Sequence, residues 1–157
     1  MTVATAADVG LRAALAALEQ SWRESATPVR AILIDLDNLG VKRAVLPQTL
    51  QQILAEAAPF EVALAAGHPV GAAHARELCV GLGIDVLDTA AGPDAADIAL
   101  LSAAQRLYCA GRATTFLVAS HDKAFARLPG RYTLLLTGRG QPAQALLESA
   151  HTVRRVG

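Results

Sequence analysis

Apolar positions along this chain switch between two periods. Across residues 9–24, Leu11, Leu15, Leu18 and Trp22 fall four, three and four apart, the stripe of one helix face. Thr27-Pro28 stops that helix. Residues 29–34 are then a continuous apolar run broken only by Arg30, which predicts a strand buried on both faces. It ends in Asp35-Leu36-Asp37-Asn38, with Gly40 beyond.

Further elements follow in alternation. Residues 47–58 predict a helix with Pro47 in its first turn. Residues 60–66 predict a second strand, closed by Gly67-His68-Pro69. A helix over 71–82 is punctuated by Gly83, and residues 84–87 form a short third strand. A loop over 90–93 leads to a helix over 94–110, with Asp94 as N-cap and Gly111 as its stop. Residues 114–119 predict a fourth strand ending in Ser120-His121-Asp122. A short helix over 123–128, a fifth strand over 132–136 and a last helix over 142–149 complete the chain. Five strands alternating with helices predict a three-layer α/β/α fold around a central, mainly parallel five-stranded sheet. The extra N-terminal helix reads as an extension over residues 1–27, covering a sheet edge or making a dimer contact. Residues 28–157 read as the domain itself.

The length of 157 residues suits one such domain with its own core. Hydrophobic residues make up 53% and no apolar run approaches the ~20 residues that span a bilayer, so disorder and membrane insertion are both excluded as expectations. The N-terminus lacks a basic stretch followed by a long apolar one, which predicts no secretory leader and a cytoplasmic protein. Cys79 and Cys109 form no CxxC or Cys/His cluster and read as two buried thiols. Net charge is zero, but it is unevenly spread. Residues 1–100 carry six basic and twelve acidic side chains, and residues 101–157 carry eight basic and two acidic. The split is that of a scattered solvated surface or of an acidic site beside a basic patch.

Open parallel sheets bind ligands beyond the carboxyl ends of their strands. There this sequence puts Asp35, Asp37 and Asn38 after the first strand, Ser120, His121 and Asp122 after the fourth, and Asp94 and Asp97 at the start of the helix between. Each has a structural alternative. Asp37 and Asn38 fit an Asx turn, Asp94 a helix cap, Asp97 the positive end of a helix, and Ser120 and Asp122 the cap of the next helix. Clustered carboxylates repel unless a cation joins them, and oxygen ligands suit Mg²⁺ or Mn²⁺.

The segments AILIDLDN, AADIAL and FLVASHDKAF, in this order, resemble the NYN domains, a branch of the PIN-like nucleases. The resemblance covers roughly residues 29–137. It maps onto Asp35 and Asn38, onto Ala96-Asp97-Ile98, and onto Ser120, Asp122 and Phe125. It implies a PIN-like sheet, a divalent metal on Asp35, Asp97 and Asp122, and cleavage of RNA. Asn38 would then orient water or the scissile phosphate beside these acids. Ser120, His121, Lys123 and Arg127 would contact the RNA, and such domains often form homodimers. The chain departs from the family pattern at four places. Ala103 and Ala124 stand where acids are common, His121 replaces a Gly, and Lys123 replaces a small residue.

Two classes of function therefore follow: a metal-dependent endoribonuclease, or a catalytically degenerate PIN-like module that binds RNA or a protein. ILIDLDNL also looks like the first motif of HAD-type phosphohydrolases, but Thr137 comes too late for the partner motif and no acid pair follows it. No GxGxxG follows the first strand, which argues against a dinucleotide cofactor.

Overall fold

The computed structural model describes residues 6–23, 29–90 and 92–157. Its elements run α1 (Ala6–Arg23), β1 (Val29–Asp35), α2 (Leu46–Ala57), β2 (Val62–Ala66), α3 (Pro69–Gly81), β3 (Asp85–Val86), α4 (Ala95–Cys109), β4 (Ala113–Ala119), β5 (Arg131–Leu136), α5 (Gln144–Ser149) and β6 (Thr152–Arg155). A 3₁₀ turn, Arg43–Val45, precedes α2, and another, Lys123–Arg127, follows β4. The expected segment around Thr27-Pro28 lies outside the described residues.

All five strand pairings are parallel, in the order β3-β2-β1-β4-β5-β6. The sheet therefore has six strands rather than the expected five. The sixth, Thr152–Arg155, pairs with β5 and is a mostly exposed edge. An edge strand needs no apolar run, so its Thr-Val-Arg-Arg sequence carries no buried-strand pattern.

The order contains one reversal. From β1 the chain moves outward through β2 to β3, then returns to the other side of β1 and continues outward through β5 and β6. Right-handed crossovers running in opposite directions place their helices on opposite faces. Accordingly α2 and α3 cover one face, packing Leu50, Ile53, Ala57, Ala75 and Cys79 against Ile32, Ile34, Leu117 and Ala119. On the other face, Ala99, Leu100, Ala103, Ala104 and Leu107 of α4, Phe125 and Leu146 pack against Ala31, Leu33, Phe116 and Val118. The alanines of α4 let the helix approach the sheet closely. α1 lies on this second face, with Leu15 buried in its core and Leu11 and Leu18 packed against it; it covers α4 rather than a sheet edge. Cys79 is buried as expected, but Cys109 is exposed at the end of α4. Among the described residues, no helix is long and apolar enough to cross a membrane.

Side-chain alternation along a strand carries this two-faced pattern to the strand ends. Asp35 follows Ala31 and Leu33 onto the α4 face, and Ser120 follows Phe116 and Val118 onto the same face. The loops beyond β1, β4 and β5 are tied together by hydrogen bonds. His121 N–H donates to Asn38 O at 3.0 Å, His121 Nε2 bonds Thr137 O at 3.0 Å, and Thr137 Oγ1 donates to Leu39 O at 2.6 Å. Gly40 and Gly138 make the close approach possible. Both have left-handed backbones, with φ of 68° and 59°. A Cβ on Gly40 would strike Arg139 O, and one on Gly138 would strike Gly40 O. Gly40→Ala and Gly138→Ala are each expected to destabilise the fold by roughly 2 kcal/mol or more, read by thermal or urea denaturation. Gly83→Ala, also left-handed but with open space around it, is expected to cost less. Equal losses at all three sites would contradict the packed crossing.

Candidate metal centre

The sheet reversal falls between β1 and β4, where a doubly wound sheet opens a crevice at its carboxyl edge. Asp35 ends β1 on one side of that crevice, Ser120-His121-Asp122 leave β4 on the other, and the N-terminus of α4 closes it from above.

Asp35 is fully buried. Its Oδ2 accepts hydrogen bonds from Ser120 Oγ at 2.7 Å and Asn38 Nδ2 at 2.9 Å. Asn38 reaches back because the chain turns immediately after β1, with Asn38 N–H on Asp35 O. The other oxygen, Oδ1, is buried without a hydrogen-bond partner. Burial pushes the Asp35 carboxyl above its usual range, and the Ser120 and Asn38 donors pull it partly back.

The group facing Asp35 is Asp97, in the first turn of α4 and only 4% exposed. Burial, then the negative charges of Asp35 and Asp122, push its carboxyl up to about 7. The negative charge of Asp35 beside it therefore favours the protonated form of Asp97. Asp35 Oδ1 thus has no donor among the surrounding groups, while its neighbour Asp97 carries the raised carboxyl.

Asp97 in turn belongs to a surface trio. Carboxylate oxygens of Asp94, Asp97 and Asp122 all lie within 4.8 Å of one another, with Asp94 exposed and Asp122 half-buried. Asp122 uses Oδ1 to cap the following 3₁₀ turn through Ala124 N–H at 2.8 Å, and Ser120 Oγ accepts the Asp122 N–H at 3.0 Å. The capping role and the site therefore coexist in Asp122. Asp94 differs from expectation. It stands at the N-cap of α4 with a left-handed backbone, φ 62°, and makes no side-chain cap bond. Its carboxylate is left to join Asp97 and Asp122. An all-oxygen, carboxylate-rich set of this kind suits a hard divalent cation such as Mg²⁺ or Mn²⁺.

The other expected residues are placed as follows. Ser120 is fully buried, and its hydroxyl is committed to Asp35 and the Asp122 N–H, so it positions the acids. His121 is held by Thr137 O in the loop crossing and does not line the acidic cavities. Asn38 lines a cavity of about 190 Å³ together with Asp37, Asp94, Asp97 and Asp122. Lys123 and Arg127 line a larger one of about 500 Å³ with the same three acids, Ile98 and Leu101. Asp37 accepts His68 N–H at 2.8 Å, which fixes the loop after β2. Ala103 is fully buried in the α4 core, and Ala124 lines the larger cavity. Asp94 is the member of the trio that sequence reasoning gave to a cap, and no local signal separates the two roles.

Comparison with known protein families, curated proteins and solved structures finds no match to this chain.

The pair has a consequence for stability. Asp97 keeps its proton to about pH 7 when folded and releases it near 3.8 when unfolded. Folding therefore takes up a proton between those values, and stability falls as pH rises through that window. In EDTA, the melting temperature of the wild type is expected to drop from pH 5 to pH 8. Asp97→Asn, which keeps a donor for Asp35 without a charge, is expected to flatten this slope and to gain on the order of 1–2 kcal/mol at pH 8. An unchanged slope in Asp97→Asn would contradict the assignment.

Proposed function

We propose that this chain is a divalent-metal-dependent endoribonuclease of the PIN-like, NYN kind. The observation that carries this reading is the buried, donorless Oδ1 of Asp35 set against Asp97 and the Asp94–Asp122 pair, at the crevice of a doubly wound sheet. Isolated acids at a surface need no ion, but a buried carboxylate pair does need a proton or a cation between its members.

Asp94, Asp97 and Asp122 would hold the cation, with Asp35 behind them. When bound, a divalent cation supplies positive charge for a phosphodiester's non-bridging oxygens and makes an attacking water more acidic. The chain's own groups do the rest. Ser120 and Asn38 fix Asp35 in one rotamer, and Asp35 fixes Asp97. Supporting bonds of this kind commonly matter 10–100-fold in metal affinity or activity. Lys123 and Arg127 border the same cavity as the acids and, among the described residues, make no ion pair. On this reading they take the phosphate oxygens flanking the scissile bond. Asn38, with its amide on Asp35 and its side chain at the acidic cavity, orients what sits beside the acids.

A second reading is favoured by Lys123 and Ala124. A cation-bearing side chain lines the cavity where the resembled family carries a small residue, and no acid stands at position 124. On that reading the domain holds RNA or a protein without cleaving it.

Incubating labelled RNA with the protein in Mn²⁺, and in EDTA, separates the two. The nuclease reading expects internal cleavage in Mn²⁺ only, lost by about 100-fold or more in Asp97→Ala and Asp122→Asn, and reduced roughly tenfold in Ser120→Ala. Activity that persists in EDTA would contradict the mechanism, and salt-sensitive RNA binding without turnover would favour the binding module.

A further inference from the structure

The carboxylate cluster does not sit at the end of a pocket. Three cavities lie along the carboxyl edge of the sheet, and neighbouring ones have lining residues in common. The cavity of about 500 Å³ that holds Lys123 and Arg127 shares Asp94, Asp97 and Asp122 with the acidic one of about 190 Å³. The acidic cavity shares Asp37 with a third, of about 260 Å³, on the α2–α3 side of β1. This third cavity is lined by Arg43 and His74 as well as Asp37. Together they form a trough that crosses the end of β1 from one helical layer to the other.

Charge along this trough is ordered: basic, acidic, basic. Lys123 and Arg127 stand on the α5 side of the acids. Arg43 stands on the opposite side, in the 3₁₀ turn before α2, with Lys42 beside it in sequence. Lys42, Arg43 and His74 are exposed, and among the described residues Arg43 and His74 make no ion pair or side-chain hydrogen bond. The carboxylate that lines the same cavity, Asp37, is bonded to the His68 N–H rather than to Arg43 or His74.

We propose that Arg43 and His74 form a second phosphate-binding subsite, so that one RNA strand lies across the acids and is gripped on both sides. The inference rests on the nuclease reading above and adds which way the strand runs and where it is held. A polyanion gripped only by Lys123 and Arg127 would end at the acids. A strand crossing to Arg43 places an internal phosphodiester over them, which is the arrangement an endonuclease requires. The lining of the trough includes no Phe, Tyr or Trp, so the grip is chiefly on the backbone rather than by base stacking.

The test is equilibrium binding of a fluorescent twelve-nucleotide single-stranded RNA, and of a trinucleotide, to the full chain in Ca²⁺ buffer at several salt concentrations. Manganese-dependent cleavage is assayed in parallel. Arg43→Ala is expected to weaken binding of the longer RNA three- to tenfold and to reduce the slope of log K against log salt by roughly 0.7, the value for one phosphate contact on a single strand. His74→Ala is expected to weaken it by a smaller factor. Lys123→Ala is expected to weaken both RNAs, whereas Arg43→Ala should barely change the trinucleotide. Arg43→Glu, at the same exposed position, should weaken the longer RNA further while leaving the melting temperature unchanged. If the wild type binds and cleaves and Lys123→Ala is impaired, but Arg43→Ala leaves affinity and slope untouched, the second subsite is overturned and the nuclease reading stands. If the wild type neither binds nor cleaves RNA, both fall together.

Discussion

Two carboxyl groups from distant parts of the chain, Asp35 and Asp97, occupy one buried space, and both cannot be charged there without something between them. Desolvation raises both groups, and the negative charge of Asp35 raises Asp97 further. The surrounding structure does not relieve the conflict. It enforces it: Ser120 and Asn38 both donate to Oδ2 of Asp35 and leave Oδ1 buried without a partner. Replacing either acid by an apolar residue would remove the repulsion at once.

The sheet is what brings the two acids together. Reversal of strand order between β1 and β4 opens the crevice, and the same reversal sends α4 to the face on which Asp35 emerges. The loop crossing through Gly40, Gly138 and His121 then locks the ends of β1, β4 and β5 against one another. Asp122, Ser120 and Asn38 thus belong to a rigid backbone frame rather than to independent loops. Asp94 and the cationic side chains stand at the surface of that frame, where they can meet a ligand. Burial favours the protonated form of Asp97, and rising pH withdraws that compensation.

Much of this was legible in the sequence because it follows from period. The continuous apolar run before Asp35 marks a central strand, and the two-residue alternation sends Asp35 and Ser120 to one face. Asp97, in the first turn of the next strong helix, is readable in the same way. What was not legible depends on contacts between distant residues. β6 is an exposed edge with two arginines in four positions, so nothing in its hydropathy announces a strand. Asp94 is a good N-cap by residue type, and only its left-handed backbone turns the carboxylate toward Asp97 instead. His121 Nε2 meets a carbonyl sixteen residues further on, a contact between strand ends that no local pattern announces. Arg43 and His74 carry no motif; their significance comes from the trough that the folded strand ends create.

The central claim, that a divalent cation belongs with these carboxylates, is tested most directly by diffraction from crystals soaked in Mn²⁺ at pH 7.5, with data collected to display manganese anomalous scattering. The account predicts one strong peak enclosed by Asp94, Asp97 and Asp122, absent from crystals of Asp97→Asn treated identically. No peak at this position, or an equal peak in Asp97→Asn, would contradict it.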